Sequence, residues 1–301
     1  MSAGAGRMVE LRGTEWPTLA LLAGCYAGWA LSIWLPWLPA GLILCALSIA
    51  LHSSLSHEAL HGHPLRRQAL NEALVFPCLG LFVPYRRFRD THLAHHRDER
   101  LTDPYDDPES NFLDPAVWEN LPKWRQALLR FNNTLAGRLL VGPAVGQAAF
   151  MAADWRAIRN GDSAVLTGWL IHLPAILPVL FLVWIAPMPV WAYLLACYAG
   201  LSLLKIRTFL EHRAHRAAPG RTVVIEDRGW LSWLFLNNNL HAVHHRHPGA
   251  AWYNLPGLYR RGRDEFLAGN DGYRYRSYGQ VFRRYFLRAK DPVPHPLWSR
   301  R

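Results

Sequence analysis

The sequence predicts an all-α integral membrane protein, in which four membrane-spanning helices form two hairpins beneath a helical cytoplasmic cap. Three observations lead to this fold class. The 33 Lys and Arg residues fall in three blocks, which leave residues 13–65 and 161–204 without a basic residue. Residues 16–55 carry no charged side chain at all. Finally, the chain has 15 histidines, and most of them stand in a few short motifs.

The composition excludes several other classes of protein. The formal net charge is +11, but the basic residues alternate with long apolar stretches, so a simple nucleic-acid binder is excluded and no nucleic-acid partner is expected. An apolar content of 51% excludes a disordered chain. The 4 Cys lie in apolar stretches without a CxxC pair, which excludes a disulfide-rich domain. We interpret residues 1–301 as a single membrane domain.

The first uncharged stretch is long enough for two crossings of a membrane. A helix rises 1.5 Å per residue, so a hydrocarbon core of about 30 Å needs about 20 residues. The segment Pro36-Trp37-Leu38-Pro39 interrupts the stretch with two helix-breaking prolines, and tryptophan is frequent at membrane interfaces. The sequence therefore predicts spans at about 16–35 and 40–56.

The second basic-free stretch repeats this design. It predicts spans at about 164–184 and 190–205, joined by the turn Pro187-Met188-Pro189. Neither hairpin turn carries Lys or Arg, whereas the flanking segments are rich in Arg, so the positive-inside rule places the turns outside. Both termini and the cap, residues 57–160 and 206–301, are then cytoplasmic. We expect the protein to lie in a bacterial inner membrane.

Two further apolar stretches, 69–85 and 139–153, are short or interrupted by Pro or Gly. Both are predicted to form interfacial or re-entrant segments rather than full crossings. A third crossing would also place some of the histidine motifs on the opposite side of the membrane.

The histidines form four motifs. They are His57-xxx-His61, which encloses Glu58, then His92-xx-His95-His96, then His212, which follows Glu211, and His241-xx-His244-His245. On a helix, residues three or four apart share one face, so the imidazoles of each motif point the same way. The four-span topology brings all nine to one membrane face. Neutral imidazole binds Fe, Zn, Cu and Ni, and one zinc needs only three or four ligands. Nine histidines exceed that number.

With these motifs the sequence resembles the integral-membrane fatty acid desaturase and hydroxylase superfamily. The order HxxxH, HxxHH, Glu-His after the second hairpin, and HxxHH is typical of that superfamily. Similarity extends to Arg207–Arg213 (RTFLEHR), Asn237–His241 (NNNLH), His247-Pro248 and Trp252–Pro256 (WYNLP). The resemblance therefore covers residues from about 16 to about 260.

The resemblance implies a cofactor of two iron ions, O2 as co-substrate, and a lipid or acyl substrate oxidised at a C–H bond. Catalysis would lie in the metal centre alone. Carried over position by position, the resemblance implies nine metal ligands: His57, His61, His92, His95, His96, His212, His241, His244 and His245. Which histidine binds which iron does not follow from the spacing. The chain shows no dinucleotide-binding motif, so the electron donor is expected to be a separate protein of ferredoxin, rubredoxin or cytochrome type.

The sequence departs from the superfamily pattern at one position. Acyl-CoA desaturases of this kind carry an Asn one helical turn before the intervening histidine, where this chain has Thr208. Asn237 and Asn238 are candidates for that role, and Glu58 and Glu211 are candidates for hydrogen bonds to the ligands. His215, three residues after His212, is a further candidate, either as such a partner or as an alternate ligand.

The sequence is compatible with two classes of lipid oxidation. A fatty acyl desaturase, which introduces a C=C bond, is favoured by the overall resemblance. The segments TDPxDDPE (102–109) and HPxxxWYxLP (247–256) also resemble those of carotenoid ketolases and hydroxylases, which makes a lipid or carotenoid hydroxylase or ketolase the main alternative.

A distant alternative is a membrane zinc metalloprotease. His57-Glu58-xx-His61 is formally the HExxH motif, in which Glu acts as general base. Such a protease needs a third ligand but does not need two HxxHH motifs.

The acidic segment 98–109 directly follows the second motif. Its carboxylates are predicted either to hydrogen-bond the far imidazole nitrogens or to cap the next helix in Asp-Pro turns. Two histidines are predicted to lie apart from the site. The side chain of His52 is predicted to point in a different direction around the helix axis from that of His57. His172 is predicted to be neutral and hydrogen-bonded within the helix bundle.

Overall fold

A computed structural model describes residues 13–96 and 100–298 and confirms the predicted helical membrane fold. In chain order the helices are α1 (Trp16–Trp34), α2 (Leu38–Leu60), α3 (Gln68–Leu74), α4 (Tyr85–His95), α5 (Pro115–Glu119), α6 (Lys123–Asn132), α7 (Leu135–Leu140), α8 (Gly142–Arg159), α9 (Ser163–Ile185), α10 (Val190–Thr208), α11 (Trp230–Leu234), α12 (His241–Arg246), α13 (Leu255–Gly269) and α14 (Tyr278–Tyr285). Short 3-10 turns lie at Ala218–Arg221 and Trp252–Asn254, and strands β1 (Val224–Ile225) and β2 (Arg274–Tyr275) pair in parallel. Both chain termini, which are predicted to be cytoplasmic, lie outside the described residues.

Four described helices, α1, α2, α9 and α10, are long and apolar enough to cross a membrane. Two of them extend beyond their predicted ends. Helix α2 continues to Leu60 and α10 to Thr208, whereas the hydropathy placed the ends at 56 and 205. The backbone remains helical past the apolar stretch, because polar side chains there gain buried partners. His57 therefore lies on the last turns of a spanning helix and not in a separate cap segment.

The irregular segment 76–84 packs among the spanning helices and is not one of the four candidate spans. Cys78 N donates to Ala175 O of α9 at 3.1 Å, and Tyr193 Oη of α10 donates to Leu79 O at 2.7 Å. His172 Nε2 lies 2.7 Å from Leu81 O, as expected for a hydrogen-bonded histidine inside the bundle. This arrangement agrees with the predicted re-entrant segment, since the spanning helices satisfy the carbonyls that an irregular chain exposes.

Helix α8 contains the second doubtful apolar stretch, and it is not one of the four candidate spans. Its Asp154, which is 3% exposed, accepts two hydrogen bonds from Arg87 of α4, both at 2.9 Å, and one from Trp169 Nε1 of α9 at 2.8 Å. Breaking such a buried ion pair typically costs about 3–5 kcal/mol. The pair joins α8 to α4, which carries the second histidine motif, and Trp169 connects the same carboxylate to the spanning helix α9.

Candidate metal centre

Four parts of the chain bring the histidines together. The end of α2 supplies His57 and His61, α4 with the residue after it supplies the second motif, the segment after α10 supplies His212, and α12 supplies the last motif. The structure places all nine predicted residues in two adjacent groups. The five-histidine group contains His57, His61, His92, His96 and His244. The four-histidine group contains His95, His212, His241 and His245.

Both HxxHH motifs divide between the two groups. Within each group, the nitrogens available as ligands lie within 4.8 Å of one another. The groups meet where the rings of His96 and His245 stack, with centroids 4.3 Å apart and planes inclined by 17°. Each HxxHH helix therefore contributes to both groups, which holds the two sites side by side.

The Nε2 atoms converge at separations of 2.8–3.1 Å. His92 Nε2 lies 3.0 Å from His57 Nε2 and 2.9 Å from His96 Nε2. In the four-histidine group, His212 Nε2 lies 2.8 Å from His95 Nε2 and 3.0 Å from His241 Nε2. A metal binds imidazole at about 2.0–2.1 Å, so two ligands at right angles lie about 3 Å apart. The observed separations match that arrangement.

Hydrogen bonds among the imidazoles do not account for this convergence. His92 Nδ1 lies 3.0 Å from Glu109 Oε1, His95 Nδ1 lies 2.8 Å from Asp107 Oδ1, and His241 Nδ1 lies 3.1 Å from Asn238 Oδ1. Since these oxygens accept a hydrogen bond, the Nδ1 atoms carry the protons. In a neutral ring, Nε2 then presents a lone pair. His61 Nε2 is also buried without a hydrogen-bond partner among the described residues. The convergent lone pairs fit a bound cation.

Two carboxylates of the predicted acidic segment contact the histidines. Asp107 is 5% exposed and also accepts the backbone N–H groups of Thr102 and Glu109, so both of its oxygens are engaged. Glu109 Oε1 bonds His92 and its Oε2 lies 4.0 Å from His95 Nε2. The segment therefore supplies hydrogen bonds to the histidines. The next helix, α5, is capped by Asp114, which lies beyond this segment, so the capping alternative is not met by the carboxylates of residues 100–109. Asp98 and Glu99 lie outside the described residues.

The other predicted partners separate into two kinds. Glu211 lies 3.8 Å from His241 Nδ1, pairs with Arg207 at 3.1 Å and accepts a hydrogen bond from Asn238 at 3.4 Å, so Glu211 and Asn238 both face the four-histidine group. Asn237 and His215 contact other parts of the chain. Asn237 Nδ2 donates to Trp252 O, and His215 lies 3.5 Å from Asp271.

Glu58 lies beside the outer nitrogen of His57 and not among the converging Nε2 atoms. Its Oε2 accepts the backbone N–H of Trp252 at 3.1 Å, and its Oε1 lies 3.9 Å from His57 Nδ1. The indole of Trp252 donates to Thr18, and Thr18 in turn donates to Glu15. Glu58 thus connects the WYNLP motif to the first hairpin, whereas an HExxH protease would need this carboxylate beside a metal-bound water.

The charge state of the histidines suits ligation. Burial lowers the pKa of His241 and His244, and the charges of neighbouring imidazoles lower each pKa further, so both are neutral at pH 7. Burial alone would also lower the pKa of His95, but Glu109 and Asp107 outweigh it and raise that pKa to about 9. Metal binding at His95 Nε2 therefore displaces a proton.

Five contacts around the site were not predicted. Lys290 Nζ donates to His212 O, and Lys290 N donates to Asn133 O at 3.0 Å. The segment after α14 then pairs with the acidic segment, because Leu113 N donates to Val293 O at 3.0 Å and His295 N to Leu113 O at 2.8 Å. Beside the five-histidine group, His63 Nδ1 lies 2.6 Å from Glu15 Oε1. No sequence pattern marks these residues, since each pair is separated widely along the chain.

Comparison with known proteins agrees with this geometry. A model of the family described as fatty acid desaturase matches residues 32–277. The chain belongs to that family. It is also 27% identical over 237 residues to the beta-carotene ketolase of Paracoccus sp. (strain N81106 / MBIC 01143), an alignment that covers 76% of this chain and 77% of the ketolase. Membership in the fatty acid desaturase family and similarity to the ketolase support a membrane oxidoreductase that acts on lipids, with histidine groups able to bind metal.

Proposed function

We propose that the protein binds two iron ions, one in each histidine group, and uses O2 to oxidise a C–H bond of a lipid. The observation that carries this proposal is the convergence of nine imidazoles into groups of five and four. Side chains do not remove hydrogen from an unactivated C–H bond unaided, and bound iron with O2 would supply that oxidising chemistry. The ligands would be the nine histidines of the two groups. Asp107, Glu109 and Asn238 keep protons on Nδ1 and aim Nε2 inward.

We propose desaturation of a fatty acyl chain as the reaction, because the family model that matches most of the chain is that of the fatty acid desaturases. Hydroxylation or ketone formation on a carotenoid is the second candidate, and the similarity to the Paracoccus ketolase favours it. The two candidates differ in how the substrate lies at the same centre. Two adjacent hydrogens within reach lead to an alkene, whereas a single one leads to an oxygenated product.

We also propose on which side of the membrane the site lies and how it receives electrons. The single membrane domain would place its histidines and termini on the cytoplasmic side of a bacterial inner membrane, with the two proline-containing hairpin turns outside. Electrons would come from a separate ferredoxin, rubredoxin or cytochrome-type protein that docks on this side.

The reaction is tested by mass spectrometry of lipids from a bacterial host that expresses the wild type or His244→Ala. The host is supplied with a donor system and, in a second strain, makes beta-carotene. We expect fatty acyl chains that lack two hydrogen atoms with the wild type only. Carotenoids that gain oxygen would favour the second candidate. If hosts that express the wild type and hosts that express His244→Ala contain the same lipids although the purified wild-type protein carries iron, the proposed function is wrong.

Alanine at Glu58 separates the oxidase from the zinc-protease alternative. The Glu58→Ala variant loses a buried hydrogen bond to Trp252, which typically costs about 1–3 kcal/mol, so we expect a lower melting temperature. Because Glu58 does not face the converging nitrogens, bound iron should be unchanged and oxidised lipid should fall by less than about a hundredfold. The exposed Glu119→Ala is the control. Peptide hydrolysis that needs Glu58, together with about one zinc per chain, would instead support the protease.

A further inference from the structure

Two cationic side chains lie next to the metal centre without an acidic partner. Arg138 of α7 is 4% exposed. Its guanidinium donates to Asn132 O at 3.0 Å and to Asn111 Oδ1 at 2.6 Å, and it lies 5.8 Å from the centroid of the Phe209 ring. All three partners are uncharged. Phe209 precedes His212 by three residues, so the guanidinium lies beside the segment that supplies a ligand to the four-histidine group.

Lys205 is the second cation, and it lies on the last turns of the spanning helix α10. Among the described residues, no hydrogen bond or ion pair satisfies its ammonium group. The acidic groups that act on it electrostatically are Glu109 and Glu211. Each already has a partner, because Glu109 bonds His92 and Glu211 pairs with Arg207. Because Lys205 lies at the end of the spanning helix, its ammonium group can reach the membrane interface and bind an anion there.

Helix α8 leaves space for both cations. A Cβ atom at Gly142 would lie 3.0 Å from Arg138 Cδ, and a Cβ atom at Gly146 would lie 3.2 Å from Lys205 Nζ. The two glycines are four residues apart, so they lie one above the other on one face of α8. The guanidinium stem and the ammonium group therefore lie against adjacent turns of the same helix. The charge of Arg138 also acts on Lys205, which makes the pair mutually repulsive until an anion joins it.

We propose that Arg138 and Lys205 bind the anionic head group of an acyl lipid, a carboxylate or a phosphate, between α7, α8 and α10. An anion placed here would accept charge-assisted hydrogen bonds from both cations and would remove their repulsion. The inference rests on the proposed function in one respect, since it assigns the substrate class: an anionic acyl lipid and not an uncharged carotenoid. Lys205 precedes His212 by seven residues, so the site lies close along the chain to a histidine of the four-histidine group.

Binding of radiolabelled palmitate to detergent-purified, iron-loaded protein tests the site without turnover. We expect the wild type to bind palmitate, and unlabelled palmitate to displace it at least tenfold better than the uncharged methyl palmitate. Phosphatidic acid as a second competitor distinguishes a phosphate from a carboxylate head group. Lys205→Met keeps the length of the side chain but removes its charge. A charged hydrogen bond is typically worth about tenfold to a hundredfold in affinity, so we expect the affinity of this variant for palmitate to fall by that factor.

Two further variants make the result specific. Gly146→Leu should weaken palmitate binding similarly, because its side chain would occupy the space beside Lys205 Nζ. Lys123→Met is the matched control, since Lys123 is exposed on α6 and should leave binding unchanged. Melting temperature and iron content verify that each variant is folded. Folded Lys205→Met that binds palmitate as the wild type does, or wild type that does not distinguish palmitate from its methyl ester, would overturn the proposal.

The outcome is separable from that of the proposed function. Charge-dependent binding without lipid oxidation would support the anion site and count against the oxidase. Oxidised lipid together with charge-independent binding would support the oxidase and exclude the anion site.

Discussion

The variant His212→Ala/His241→Ala should lose about one of two bound iron ions and all detectable lipid oxidation. The two substitutions leave two histidines in the four-histidine group, fewer than the three or four protein ligands that metal sites of this kind use. The five-histidine group keeps all its members. Changes to residues that only support a ligand typically cost tenfold to a hundredfold, so removal of the ligands themselves should cost more than about a hundredfold in activity. Iron per chain is measured by elemental mass spectrometry.

A mirror-image variant provides the comparison. His57→Ala/His61→Ala/His244→Ala leaves two histidines in the five-histidine group, so it should remove the other iron and leave the four-histidine group loaded. None of these five substituted residues belongs to the stacked pair His96 and His245 where the groups meet, so the loss should remain within one group. His215→Ala is the control, since His215 lies near Asp271 outside both groups. If both multiple variants keep their iron while folded, the assignment of ligands is wrong.

The second large effect is expected for Asp107→Asn. Asp107 accepts three hydrogen bonds, from His95 Nδ1 at 2.8 Å, Thr102 N at 2.8 Å and Glu109 N at 2.9 Å, and these use both carboxylate oxygens. An amide has one oxygen, so its NH2 group would face one of these donors. We expect the iron affinity of the four-histidine group to fall by about tenfold to a hundredfold, with oxidised lipid falling in parallel.

Chelator competition measures this affinity, and Asp106→Asn is the control in the same segment. Asp106 is exposed, and its backbone N–H bonds Asp103, so its side chain should not matter to the metal. A loss of iron from the five-histidine group alone would contradict the role given to Asp107. If Asp107→Asn and Asp106→Asn lower the iron affinity equally, the effect comes from a changed conformation of the segment and not from the loss of the hydrogen bond to His95.

Much of the fold could be predicted because membrane spans follow a one-dimensional rule. A stretch without charge that is long enough to cross a bilayer must be helical, since no water is present to satisfy its backbone. The helices α2 and α10 extend beyond the predicted spans. The helical backbone there continues into polar residues, and their buried partners lie elsewhere in the chain.

The nine histidines were also predictable, because residues three or four apart share a helix face. Their division into two groups was not. Within one HxxHH motif the spacing is the same whichever group each ring joins, and the contacts that α4 and α12 make with other segments set the outcome. Asp107 could not be chosen from its acidic neighbours for a similar reason, since a fold in the loop selects which carboxylate reaches His95.

The amino-acid sequence was thus sufficient for the number of spans, the helical class and the set of imidazoles, because each depends on local composition and periodicity. The pairing of rings, the connection of Lys290 to His212 and the packing of Lys205 against Gly146 of α8 depend on contacts between distant segments. Such contacts leave no pattern in the neighbouring sequence, because the residues that surround a buried charge come from distant parts of the chain. That is also why the unpaired cations of α7 and α10 became visible only in the folded chain.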